Sequence, residues 1–369
     1  MTASEAAAGM ASPVHRDKGM STIADRHAAI AELLPAGRSI AYLDYAMTTN
    51  VGDQLIVLGT LEFFRKYGIN RRFSRNVKNS EPVGKLPIEA DDIIVLHGGG
   101  NFGDIYPHFQ KYRERVIDHY KDHKIIMMPQ TVHFNAPDAL ARSAEKMNRH
   151  PDLTLFVRDS VSFDLVRPYF GERAILMPDM AHQLWPMLSK LRAEGTARAT
   201  EPLILIRTDV EKASTPAPIA ARSQMFVDWD DLLSRGFRIT KRLITVLSQA
   251  RVARRAPVDW DELYFNAMER EIVAIAQLLS QKSPWISSRL HGIILGLLLE
   301  KPVFAIDNTY GKLSSYLSTW HDYVDPVVMT RTDADGEQAV ACIESYSRRS
   351  AAEGWRMYET IARGETWNH

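Results

Sequence analysis

Short runs of consecutive apolar residues, bounded by polar or turn residues, recur along the chain at 39–43, 92–96, 124–128, 153–157, 203–206, 285–287 and 302–305. Many are rich in β-branched side chains, and none shows the alternation of a half-exposed strand. They predict strands buried on both faces of parallel sheets. Between them lie stretches with apolar positions three and four apart, such as Leu55, Leu58, Leu61 and Phe64 within 54–67, and a similar pattern over 260–279, which predict amphipathic helices. Strand and helix alternate throughout. The expected fold is therefore α/β, built from two Rossmann-like domains facing a cleft, with the sites at the carboxyl ends of the strands.

The pattern breaks in four places. Residues 1–38 precede the first strand and are expected to be partly disordered, the first twenty or so lacking the apolar core of a secretion signal. No strand is read between 185 and 202, so the interdomain link is placed there. The expected domains are 39–185 on the acceptor side and 200–330 on the donor side. Residues 213–230 carry Pro216 and Pro218 among small residues and read as a long loop, a candidate lid. A C-terminal helix over 335–369 is expected to return across the first domain.

Composition narrows the function. Lysine plus arginine equals aspartate plus glutamate at 45 each, so no overall field recruits nucleic acid and an anion has to be caught by local residues. Cys342 is the single cysteine and reads as a packed thiol. No apolar run approaches the length needed to cross a bilayer. A cytoplasmic location is expected, with loose attachment to the inner membrane face left open, although no Lys/Arg-rich amphipathic anchor stands out in the sequence.

Three motifs sit at predicted strand ends. Asn50-Val51-Gly52-Asp53 precedes the helix starting near 54, where exposed amides favour an anion or hydroxyl; the plain alternative is a helix cap. His97-Gly98-Gly99-Gly100-Asn101-Phe102-Gly103-Asp104 reads as a loop presenting amides, with Asn101 or Asp104 able to meet sugar hydroxyls and His97 either a ligand contact or a buried neighbour. Its glycine spacing formally fits a dinucleotide fingerprint. The next strand, however, ends in Met128-Pro129-Gln130, without the acid that would hold a ribose, and no P-loop lysine is present, so a nucleotide cofactor is not indicated. Ser288-Arg289-Leu290-His291-Gly292 opens an apolar helix and combines a planar cation, a histidine and helix amides, a set suited to a small polyanion. Arg207 follows the strand at 203–206 and should reach the same sheet edge. Arg158-Asp159-Ser160 and Pro178-Asp179 are further polar turns at strand ends, balanced between capping and function. No cluster with metal-ligand spacing is found.

In this order, Asn50-Val51-Gly52-Asp53, His97-Gly98-Gly99-Gly100-Asn101, Pro129-Gln130-Thr131, Arg158-Asp159-Ser160, Pro178-Asp179, Arg207 and Ser288-Arg289-Leu290-His291-Gly292 resemble the polysaccharide pyruvyl transferase family, over about 39–320. The resemblance implies a GT-B-like enzyme that moves pyruvate from phosphoenolpyruvate onto two hydroxyls of a saccharide as a ketal, in exopolysaccharide or capsule synthesis. It implies phosphoenolpyruvate as co-substrate, no further cofactor, and a saccharide acceptor, free or lipid-linked. Arg289, His291 and Arg207 match the donor site, with Ser288 and Gly292 beside them. On that reading His291, Arg207 and Asp53 are catalytic, while Asn50, Gly52, Asp53, His97, Gly99, Gly100, Asn101 and Asp104 form the acceptor or cleft side. A nucleotide-sugar glycosyltransferase of the same fold, and a non-catalytic saccharide-binding subunit, are the rival readings.

Overall fold

The apolar runs become the inner strands of two parallel sheets. The computed structural model describes residues 13–78, 80–195, 201–208, 214–249, 258–307, 311–324, 326–348 and 350–365. The first sheet contains β1 (Ser39–Leu43), β2 (Asn70–Arg75), β3 (Ile93–Leu96), β4 (Gly99–Gly103), β5 (Ile125–His133), β6 (Leu153–Val157) and β7 (Ala174–Leu176). Its order is β2-β1-β3-β5-β6-β7, with β4 also paired to β5. The second sheet contains β8 (Glu201–Leu205), β9 (Phe226–Val227), β10 (Lys282–Ser287), β11 (Val303–Ala305) and β12 (Val328–Met329), in the order β12-β11-β10-β8-β9. The α/β class with parallel sheets is as expected from the sequence.

Register sets where the functional residues emerge. Leu43 pairs with Leu96, so Asp44 and His97 leave the first sheet side by side. In the second sheet Leu205 pairs with Ser287 and Ser287 with Ala305, which brings Arg207, Arg289 and Asp307 to one edge. One buried cluster runs from Ile40, Val95 and Phe156 of the first sheet to Leu203, Trp285 and Val303 of the second. Met180, Leu184 and the helices Val51–Lys66 and Leu290–Leu298 connect the two ends.

Four expectations change. Within 1–38, residues 1–12 lie outside the described residues, but Pro13–Asp25 is a helix whose Met20 and Ile23 are buried in the central cluster. His27 fixes it: Nε2 donates to the carbonyl of Pro178 at 2.9 Å, and Nδ1 accepts from Gln183 at 2.8 Å. The expected linker holds the helix Ser189–Gly195, with Arg192 over the ring of Trp185; residues 196–200 lie outside the described residues. The expected lid is tied down instead: Ile219 is buried, Ala217 donates to Asp333 at 2.7 Å, and Phe226 pairs with Ile204 to add an edge strand (residue 213 is outside the described residues). The C-terminal segment forms two helices, Asp333–Arg348 and Ala351–Ala362, and they do not return across the first sheet. Their apolar positions Ala339, Cys342, Ile343, Tyr358 and Ile361 cover Ile204, Ile286 and Phe304 of the second sheet, which would otherwise face water.

Candidate active site

The carboxyl edges of the two sheets contribute to one cavity of about 310 Å³. Asn50, Asp53, Gly100, Asn101 and Arg158 line it from the first sheet; Arg207, Arg289, His291 and Lys312 line it from the second. Among the described residues, four fixed cations and one histidine thus share a cavity whose single acidic lining residue is Asp53.

Asn50 caps the helix Val51–Lys66, accepting from the amide of Gly52 at 2.9 Å, so the cap is Asn50 rather than Asp53. Asp53 is then available in the first helical turn, where it accepts from the hydroxyl of Thr48 at 3.2 Å. Burial raises the pKa of its carboxyl, against the charges of His291, Arg158 and Arg207, which favour ionisation. Gly52 has a different purpose: a Cβ there would lie 2.7 Å from His291 Nδ1 and 3.1 Å from His291 Cβ. The glycine lets the histidine of one sheet press against the helix start of the other.

His291 is held from its other edge. Its Nε2 lies 3.4 Å from Oδ2 of Asp179, and the same oxygen accepts from Arg158 Nη1 at 2.6 Å. Burial works against the charge on Asp179, but His291 and Arg158 together hold its carboxyl well below the usual range. Asp179 also caps its own turn through Ala181 and donates its amide to Tyr316. A carboxylate fixed in this way sets the orientation of the ring.

Arg289 lies at the N-cap of the helix Leu290–Leu298. Its Nε bonds Asp228 Oδ1 and its Nη2 bonds Oδ2 at 2.6 Å, a bidentate pair that fixes the guanidinium plane at the cavity wall. Asp228 also accepts from the amide and hydroxyl of Thr208. Burial opposes ionisation of Asp228, but Arg289 keeps its pKa low. Ser288 accepts from the amide of Arg207 at 2.7 Å, joining the strand ends that carry the two arginines.

Several expected site residues act elsewhere. His97 is buried behind the cavity, 2.6 Å from the hydroxyl of Tyr42, and burial lowers its pKa to about 3. Gly99 is buried and takes φ +122 in β4, so the glycine run is partly strand rather than entirely loop. Asp104 points away and receives two backbone amides, those of Asn135 and Ala136, to fix the next turn. Gly292 is required by packing, since a Cβ would stand 2.4 Å from Ser287 Oγ and 2.6 Å from Leu205 Cδ2. Ser288 joins strand ends and is not a cavity residue. Asn101 does line the cavity, held at 2.5 Å by the buried Arg113.

Lys312, Thr48 and Asp228 were not anticipated. Lys312 follows β11, so the rule that sites lie beyond strand ends could have marked it. Asp228 follows a two-residue edge strand that leaves no periodic signal.

The family model for polysaccharide pyruvyl transferase matches residues 50–310, which holds most of the cavity lining. The chain belongs to the polysaccharide pyruvyl transferase family. This transferase is 33% identical over 306 residues to "Putative pyruvyl transferase EpsO" of Bacillus subtilis, covering 83% of this chain and 92% of that one. It is 28% identical over 292 residues to Pyruvyl transferase 1 of Schizosaccharomyces pombe, covering 77% and 70%. A crystal structure of a functionally uncharacterised protein from Klebsiella pneumoniae shares the fold, with a TM-score of 0.51, 19% identity, and coverage of 81% of this chain and 93% of that one. Pyruvyl transfer in polysaccharide synthesis is thus the family role of this pyruvyl transferase.

Proposed function

We propose that the enzyme moves pyruvate from phosphoenolpyruvate onto two hydroxyls of one saccharide, forming a cyclic ketal, and that its two sheets act as a donor and an acceptor unit in a GT-B-like arrangement. The observation that carries this reading is the grouping of Arg158, Arg207, Arg289, Lys312 and a carboxylate-backed His291 in one cavity with Asn50 and Asp53. A neutral sugar needs no such concentration of cations, whereas phosphoenolpyruvate offers a phosphate and a carboxylate to be held.

In the reaction a proton adds to C3 of the enol, leaving C2 an oxocarbenium-like centre. One acceptor hydroxyl bonds to C2, the C2–O bond to phosphate breaks, and the second hydroxyl closes the ring. Of the two hydroxyl protons, one balances the proton gained at C3 and the other leaves with phosphate. His291 supplies the proton, Asp179 steadies the charged ring, Arg289 and Arg207 hold the donor anions, and Asp53 accepts from the acceptor hydroxyl. The raised pKa of Asp53 makes it a stronger base than an exposed aspartate.

The test is phosphate release from phosphoenolpyruvate with galactose, glucose and mannose acceptors, products being weighed by mass spectrometry. Release coupled to a product heavier by one pyruvate ketal, and lost in His291→Ala, is expected. Absence of release with every acceptor, together with tight binding of nucleotide sugars, would refute the assignment.

A further inference from the structure

The helix Arg235–Gln249 is apolar on two sides. Phe237 and Ile244 are buried on the inner side, Phe237 against the ring of Tyr264. On the outer side Ile239, Leu243, Val246 and Leu247 are 50%, 55%, 59% and 44% exposed. At 100° per residue these four share an arc about 100° wide, a continuous stripe rather than scattered residues. Water is a poor solvent for such a stripe.

Charge narrows what covers it. The fifteen residues of the helix include Arg235, Arg238, Lys241 and Arg242 and no acid. Arg238 is turned back to the carbonyl of Asp230, while Arg235 and Arg242 are exposed beside the stripe. Lys78 stands close enough to Lys241 to lower its pKa, second to the effect of burial, so the positive surface continues across the neighbouring loop. A second exposed stripe, Val161, Leu165 and Tyr169, has Asp164 and Arg167 on its own helix and carries no such preference. Symmetric pairing of two copies through the basic helix would set its arginines against their own counterparts, which like-charge repulsion opposes. An aliphatic stripe flanked by arginine, lying flat on the molecule, matches the boundary between anionic headgroups and acyl chains.

We propose that the helix Arg235–Gln249 docks the enzyme on an anionic phospholipid surface, with Ile239, Leu243, Val246 and Leu247 entering the acyl boundary and Arg235 and Arg242 at headgroup level. No Lys/Arg-rich amphipathic anchor stood out in the sequence, where the exposure of the helix's second apolar side is not visible. Docking there has a geometric consequence for the cavity. Thr245 Oγ1 lies 3.5 Å from Met47 Sδ, next to the lining residue Thr48, and Tyr264, under Phe237, donates to the carbonyl of the lining residue Ala46. These contacts are made by the sides of the helix turned away from the stripe, so the bound membrane would lie across the helix from the residues next to the cavity. The docking itself does not depend on which donor the cavity takes.

The experiment is liposome flotation of the full chain, with phosphatidylglycerol-containing vesicles against purely zwitterionic ones. The expected result is affinity for the anionic vesicles at least about tenfold higher, falling with salt. Binding should be lost both in Leu243→Asp/Val246→Asp and in Arg235→Glu/Arg242→Glu, with circular dichroism and thermal unfolding unchanged, since all four side chains are exposed. Equal binding to both vesicle types, or binding to neither, overturns the proposal. So does a concentration-dependent dimer that the Leu243→Asp/Val246→Asp change abolishes while vesicle binding is absent.

Discussion

Gly52 and His291 belong to different sheets of the fold, yet the histidine Nδ1 occupies space that only a glycine leaves open, 2.7 Å from where a Cβ would stand. Gly52→Ala should displace the ring while leaving the helix as stable as before or slightly more so, because alanine is the better helix former. Turnover is expected to fall on the order of 100-fold, with stability within about 1 kcal/mol of the original. Steady-state phosphate release and thermal melts on the same sample separate the two effects. Full turnover would mean that His291 does not act from this position.

Asp179 couples His291 to Arg158 in a buried setting, so Asp179→Asn should damage both stability and chemistry. Leaving the guanidinium of Arg158 without its counter-charge is expected to cost about 3–5 kcal/mol. The sign of the pH effect also follows. The folded pKa of Asp179 lies below its ordinary value of 3.8, so its contribution is present above about pH 4 and is lost as the pH falls further. Denaturant titrations at pH 7 and pH 3 should show the gap between the two proteins narrowing in acid.

The proposed donor and acceptor roles should separate kinetically. Arg289→Lys keeps the charge but not the two-pronged pairing with Asp228, and it should raise the KM for phosphoenolpyruvate roughly tenfold with a smaller change in kcat. Asp53→Asn should lower kcat and raise the KM for the saccharide, leaving the donor KM nearly unchanged. Initial-rate measurements varying each substrate in turn would expose the reverse pattern, which would exchange the assigned sides.

His97 is uncharged in the folded protein at neutral pH, because burial lowers its pKa from 6.5 to about 3. The unfolded chain takes up that proton below about pH 6.5, so the contribution of His97 to stability is lost progressively as the pH falls from there toward its folded pKa. His97→Gln removes this proton linkage. Its stability curve between pH 6 and pH 4 should be shallower than that of the original protein by about 1.4 kcal/mol per pH unit. The difference in slope, rather than the absolute stability, is the measurement, since the contact with Tyr42 is altered at the same time.

The central strands were legible because burial on both faces leaves few polar positions: 39–43 and 153–157 appear at their observed bounds. β2 was not legible, since Asn70-Arg71-Arg72-Phe73-Ser74-Arg75 lies at a sheet edge and keeps its polar side chains partly in water. At the site, the residues found were those directly after a readable strand, as with Arg207 and Arg289. What one sequence cannot display is pairing over long separations. Asp228 and Arg289 stand 61 positions apart and Asp179 and His291 stand 112 apart, and each partner alone looks like a cap. His97 misled for the same reason: a histidine at a strand end has the same signature whether it faces a cavity or, as here, a tyrosine in the core.

The contact between His27 and the Pro178 carbonyl gives the amino-terminal helix a bearing on the chemistry. Pro178 is the immediate neighbour of the aspartate that contacts His291, so the segment before β1 works as a wedge driven behind that ring. A shortened protein beginning at residue 39, where the first strand starts, would keep every cavity residue and still lose the brace behind them. Anyone trimming this enzyme for crystallisation, or fusing a partner to its front end, would be adjusting the cavity and its histidine from the rear.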